Sequence, residues 1–413
     1  MKNIIISNNS RFKSVFVSVN LLLPLEGDKT GKNALLAMVL KKSNELYKSE
    51  KDLEKALAKL YDTSIDVNIE KLDNLYNIQI NMEMLNGEYM SQEELQTAKA
   101  ILCAIICKPN ITLGKFDQDV FEREKQTLIQ KILEEKDDKK KYALECLRQE
   151  MFKGTAYGAP TLGTIQEVSK ITNEELVKHY EYVISNAEVV VCITGNMKGL
   201  EEMPKEIYSS ICEKCGSNSV QNAADVDITH NKMEEKVEHQ QINQSILCIG
   251  LKAQGVTTDD VYALMLYNAI LGGTPASKLF QNVREKESLA YFSRSTYNKL
   301  KQVIYMYSGI DPKNHDKAKE VMLTQLDLIK KGEVSEQEFY AAKQSLISSY
   351  IELMDSKVAI SRNLLSNEVM FGYEVPVEVT IDKLQALTLA DVVEVANKVI
   401  ATNVFLLGGR ANV

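Results

Sequence analysis

Short alternating runs of apolar and polar residues stand at LYNIQINM (75–82) and QVIYMYSGI (302–310). That period predicts strands in a sheet with one covered face. The segments 91–107, 115–136, 314–331 and 335–355 instead repeat apolar positions at helical spacing. Apolar strands are also predicted at EVVVCITGN and NVFLLGGR, each directly after a helix. Helices cluster between strands rather than strictly alternating with them, which favours an α+β class over a doubly wound sheet.

The pattern occurs twice. TIQEVSKITNEELVKHYEYVI (Thr164–Ile184) and TIDKLQALTLADVVEVANKVI (Thr380–Ile400) align without a gap at a displacement of 216. Thr172 and Thr388 each read as a helix N-cap, with an acid three residues on at Glu175 and Asp391. Near the starts of the two halves, SVFVSVNLLLPLEGDKTGKNALLAMVL and SILCIGLKAQGVTTDDVYALMLYNAIL share a strand–turn–helix order. Gly27 and Thr30 then fall over Gly255 and Thr258 at a displacement of 228. The chain thus reads as an internal duplication of one α+β unit. Two homologous halves are expected, each an antiparallel-rich sheet covered by helices in an α/β-sandwich-like arrangement. They span 1–212 and 244–413, joined by a polar linker at 213–243.

Composition narrows the function. Of 413 residues, 49 are Lys or Arg and 57 Asp or Glu, giving a net charge of −8. That balance speaks against a generic nucleic-acid binder, which needs a basic face. No apolar run approaches the roughly 18 residues of a membrane span, and Ile4–Ile6 is too short for a signal-peptide core. The expected location is therefore cytoplasmic, with the seven cysteines as free thiols. Cys212 and Cys215 form a C-x-x-C without the second pair a zinc ribbon requires. Cys103 and Cys107 are expected on the buried face of an apolar helix.

The four histidines, His179, His230, His239 and His315, lie at least nine positions apart. H-E-x-x-H or H-x-x-E-H, which sets two imidazoles one helical turn apart on one metal, cannot be built from them. His179 reads as a partly buried structural histidine. GDKTGK (27–32) has the wrong spacing for a phosphate loop and carries Asn33 where that loop needs Ser or Thr. It reads as a turn and helix start. The run EEKDDKKK (134–141) reads as a solvated surface.

One stretch is more specific. ILGGTPASKLFQNVREKESLAYFSRS (Ile270–Ser295) carries Leu271, Gly272, Gly273, Ser277, Lys278, Leu279, Phe280, Arg284, Leu289, Ala290 and Tyr291. This resembles the second-half signature of the pitrilysin/insulinase zinc metallopeptidases, in particular the branch that includes mitochondrial processing peptidase. The resemblance implies paired α+β halves closing around a peptide. It also implies an Arg and a Tyr seven positions apart that reach the substrate, here Arg284 and Tyr291. The glycine-rich loop of that family is matched by Gly272 and Gly273.

The metal half of the family pattern is absent. In TGKNALLAMVLKK, Ala34 and Met38 stand where the family has its two zinc-binding histidines, and Ala37 where it has the general base. Glu124 matches an accessory acid, but Lys131 stands at the third ligand position, and an ammonium has no lone pair to donate. The resemblance therefore implies no cofactor in this chain and a zinc-bearing family member as heterodimeric partner. A peptide or small protein is the implied substrate. The chain alone is expected to be inactive. The alternative on the same fold is a proteolytically silent scaffold or peptide-binding protein, possibly homodimeric.

Overall fold

The structure, a computed structural model, describes residues 1–221 and 233–409; His230 falls outside them. Over the described residues the chain forms two compact units. One comprises Met1–Glu134, Thr155–Val226 and Ser356–Glu374, the other Glu135–Gly154, Asp227–Asp355 and Val375–Val413. Each unit therefore takes one segment from the other half of the sequence. The contiguous halves expected at 1–212 and 244–413 lack this exchange. The expected linker 213–243 contains the end of the helix Met203–Cys215 and the whole of a strand, Glu234–Gln240.

The first unit is built on a sheet of β1 (Ile4–Asn8), β2 (Ser14–Pro24), β3 (Ser64–Leu72), β4 (Leu75–Leu85) and β7 (Glu188–Gly195), in the order β1-β7-β2-β4-β3. A two-strand hairpin, β5 (Ile111–Thr112) and β6 (Lys115–Phe116), stands apart from it. The second unit has β8 (Glu234–Gln240), β9 (Ser245–Ala253), β10 (Ala290–Asn298), β11 (Val303–Ile310) and β12 (Val399–Gly409), in the order β10-β11-β9-β12-β8. Read from opposite ends, the two orders are the same. In each sheet the outer pair, β1 with β7 and β8 with β12, is parallel, and every other pair is antiparallel. The expected α+β class with two helix-covered, mostly antiparallel sheets is what the chain forms.

Local chemistry explains the repeated elements. Thr172 caps Asn173–Asn186 and Thr388 caps Leu389–Lys398, each in a reciprocal capping box with the acid three residues on. At the starts of the units, the single turns Gly27–Lys29 and Thr258–Asp260 lead into the helices Thr30–Leu40 and Val261–Asn268. The structural displacement there is 231, three residues from the 228 that sets Gly27 over Gly255 and Thr30 over Thr258. Gly and Thr recur at turns, so their coincidence does not fix the register.

In the first unit Val15, Val17, Val19 and Leu21 of β2 are fully buried, together with Ile78 and Ile80 of β4. In the second, Leu247, Ile249 and Leu251 of β9 join Leu264, Tyr267, Leu279 and Val283 in one core. The seven cysteines are free, and burial pushes the Cys103 and Cys107 thiols up to about 11 and about 12. No helix among the described residues is long and apolar enough to cross a membrane.

Candidate functional site

The segment Ala269–Tyr291 is irregular where an ordinary helix and strand would serve. Two wide π-helical turns, Ala269–Gly273 and Leu279–Lys286, flank the stretch that carries Thr274, Ser277 and Lys278. Glu287 N–H bonds Asn282 O at 3.1 Å, five residues back, and Leu289 N–H bonds Val283 O at 3.0 Å. Between them Ser288 sits at φ 51°, a left-handed conformation that costs a residue with a Cβ about 1 kcal/mol or more. Wide turns and strained residues of this kind concentrate at functional sites.

Arg284 lies in the last turn of Leu279–Lys286. Its guanidinium carbon is 4.6 Å from the centroid of the Phe280 ring, and its Nε is 3.5 Å from Glu285 Oε1. The side chain remains 42% exposed. Phe280 thus supports a cation from one side and leaves its other face open. Tyr291 stands at a β-bulge: Ala290 pairs with Ile310 and Phe292 with Gly309, leaving Tyr291 as the extra residue. Bulges re-aim a side chain, and this phenol is 71% exposed although its strand neighbour Ala290 is buried.

What fixes this segment is buried. Lys278, itself buried, donates to Glu338 Oε1 at 3.0 Å, while Glu338 Oε2 closes a capping box with Ser335. These bonds outweigh desolvation and hold the Glu338 carboxyl below the usual range. Gly272 is buried against β10: a Cβ there would stand 2.5 Å from Ser295 N and 2.7 Å from Leu279 Cδ1. It is therefore a close-packing glycine, whereas Gly273 is exposed.

In the first unit Ala34, Ala37 and Met38 lie on Thr30–Leu40, with both alanines buried and Met38 half-buried. That helix packs on Gln118–Glu134, which carries Glu124 and Lys131. The fold brings the two helices together, but their side chains do not fit zinc: a methyl, a methyl, a thioether and an exposed ammonium stand at the four positions. Glu124 is buried and tied to Arg123 Nε at 3.1 Å and Lys42 Nζ at 3.6 Å. Among the described residues no group of three or more His, Cys, Asp or Glu could hold a metal ion.

His179 is buried, as expected of a structural histidine, and its Nε2 is 2.7 Å from Asn33 Oδ1. Burial, aided by Lys32 and Lys29, lowers it to about 4, so the ring is neutral at neutral pH. Its ring stacks on Tyr182, whose hydroxyl donates to Glu26 at 2.8 Å. Partners 146 positions apart gave no signal in sequence. Helical spacing did offer one for Phe280, four residues before Arg284.

Residues 170–346 match the family model described as the peptidase M16 inactive domain. The chain is 28% identical to the probable inactive metalloprotease YmfF of Bacillus subtilis, over 98% of this chain and 95% of that protein. A conserved protein from Enterococcus faecalis V583 has a crystal structure of the same fold: TM-score 0.90, 27% identity, covering 98% of this chain and 96% of that one. The peptidase M16 inactive domain from Pseudomonas fluorescens superposes with a TM-score of 0.80 at 16% identity, over 99% and 96%. The chain is thus similar over nearly its whole length to a probable inactive metalloprotease, and over residues 170–346 to the peptidase M16 inactive domain.

Proposed function

Starting from homology with the M16 inactive domain, we propose that this chain is the non-catalytic subunit of a heterodimeric zinc peptidase. It would supply Arg284 and Tyr291, and half of the peptide chamber, to a zinc-bearing family member. The observation that carries the reading is a contrast within the chain. The segment bearing Arg284 and Tyr291 keeps a strained, irregular backbone with both side chains exposed, while apolar side chains fill the positions of the metal helix.

The chemistry suits the assignment. Attack on a peptide carbonyl in the partner's site creates an oxyanion. A phenol O–H and a guanidinium can hydrogen-bond that developing charge or hold the substrate backbone. Phe280 limits the conformations open to Arg284 and lowers the entropy lost on engaging an anion. Zinc is assigned to the partner alone, peptides or small proteins are the substrate class, and the compartment is the cytoplasm, in keeping with the unpaired thiols.

The test is co-purification from the source organism with a relative that carries H-x-x-E-H, followed by a peptide-hydrolysis assay of each chain and of the pair. Activity should require both chains and fall when Arg284→Ala and Tyr291→Phe are introduced. A pair whose activity ignores both substitutions refutes the assignment. A chain that recovers only itself from the cell supports the scaffold alternative.

A further inference from the structure

The two units share one topology, and that makes each an internal control for the other. In the second unit the helix Lys139–Met151 covers the face of β9 that carries Ile246, Cys248 and Gly250. Met151 lies so close over Gly250 that a Cβ there would collide with its sulfur. The slot is filled. In the first unit β2 holds the same central place, and the helix Lys357–Phe371 covers it. Here a solvent-open cleft of about 300 Å³ remains between helix and sheet.

The sheet face beneath that cavity is polar. Ser18 is paired with Asn81, Gln79 with both Asn20 and Asn68, and Glu70 with Asn77. Asn20 and Asn77 are fully buried, Ser18 and Asn81 nearly so, and the buried Oδ1 atoms of Asn77 and Asn81 have no partner among the described residues. Burying amides costs free energy that an apolar filling such as Met151 would avoid. The roof is held in place by Lys357, which donates to Glu83 at 2.6 Å, and by Glu368, which accepts from Lys2 N at 2.6 Å.

An opposite-charge pair lines the cavity. Arg362 donates from Nη2 to Glu70 Oε2 at 2.7 Å, and its side chain is 68% exposed, free to turn away from the acid. Glu70 is braced by Gln79 Nε2 at 2.9 Å. Apolar walls come from Phe16, Val358 and Leu365.

We propose that this cavity is a binding site for a zwitterionic α-amino acid with an apolar side chain. Its ammonium replaces Arg362 on Glu70, its carboxylate takes the released Arg362 guanidinium, and its side chain lies on Phe16, Val358 and Leu365. Adjacent opposite charges are what distinguish an amino acid from a peptide terminus, which carries only one of them. The space of about 300 Å³ admits a ligand of leucine's size. This site is independent of Arg284 and Tyr291.

The test is titration calorimetry of the whole chain with L-leucine, N-acetyl-L-leucine and L-leucinamide. L-Leucine should bind at millimolar concentration or below. Blocking either charged end should weaken binding by about tenfold to a hundredfold, the usual weight of a charge-assisted hydrogen bond. Glu70→Gln and Arg362→Gln should each weaken L-leucine by a similar factor. The analogue series on the unaltered chain stands even if a variant fails to fold. No heat with L-leucine at millimolar concentration, or equal binding of the blocked analogues, would overturn the proposal.

Discussion

Gly272→Ala is the sharpest probe of how the Arg284–Tyr291 segment is held. A Cβ at this position would sit 2.5 Å from Ser295 N, 2.7 Å from Leu279 Cδ1 and 2.7 Å from Ser295 Oγ, whereas real Cβ atoms essentially never come closer than 3.0 Å. The nearest obstacle is backbone, in the middle of β10, and it cannot rotate away. Either β10 or the π-helical turn must shift by about half an ångström, in a core where overpacking costs about 1–3 kcal/mol. For a unit of this size that lowers the melting temperature by a few to about 10 °C. The assay is thermal and urea unfolding of Gly272→Ala beside Gly273→Ala, whose Cβ would be 3.1 Å from Asn268 O. Gly272→Ala should be clearly the worse. Adding Ser295→Ala should not rescue it, since the amide nitrogen remains. A Gly272→Ala protein that unfolds with the parent would refute the close-packing role and return Gly272 to a mobile glycine loop.

Other consequences are as direct. His179 is lowered in the fold to about 4 from an ordinary value near 6.5, so the unfolded chain binds the extra proton first. Its contribution is present above pH 6.5 and is lost as pH falls toward 4, at most about 3 kcal/mol. His179→Gln should flatten urea stability across that window, and an unchanged slope would count against the buried neutral ring. For the Lys278–Glu338 pair, Glu338→Ala should destabilise more than Lys278→Met, because it strands a buried ammonium. Urea titration of the two variants decides the order, and equal losses would mean the pair is solvated. Phe280→Leu should loosen Arg284 with little loss of stability, about 1 kcal/mol of cation–π support or less, and should lower the activity of the paired enzyme while its melting temperature holds.

Much of this architecture was legible in the chain. The duplication showed because capping boxes at Thr172 and Thr388 and the strands behind them need particular residues at fixed offsets. That Ala34, Ala37, Met38 and Lys131 carry no donor zinc would accept is a matter of side-chain type alone and needs no fold to read. The exchange of Glu135–Gly154 and Ser356–Glu374 did not show: an amphipathic helix carries a buried stripe but no address for the sheet it will cover. The π-helical turns and the bulge at Tyr291 were equally silent, being single-residue shifts in backbone bonding with no composition of their own. The polar face of the first sheet was spread over three strands, so Ser18, Glu70 and Asn81 became neighbours only once β2, β3 and β4 were in register.

The most direct test of the account is the rate of peptide hydrolysis by the chain paired with its zinc-bearing relative, with and without Arg284→Ala and Tyr291→Phe. The substitutions should leave the pair assembled and its zinc content unchanged, yet lower kcat by about a hundredfold or more, the usual effect of removing oxyanion donors. Full activity with both substitutions in place would contradict it.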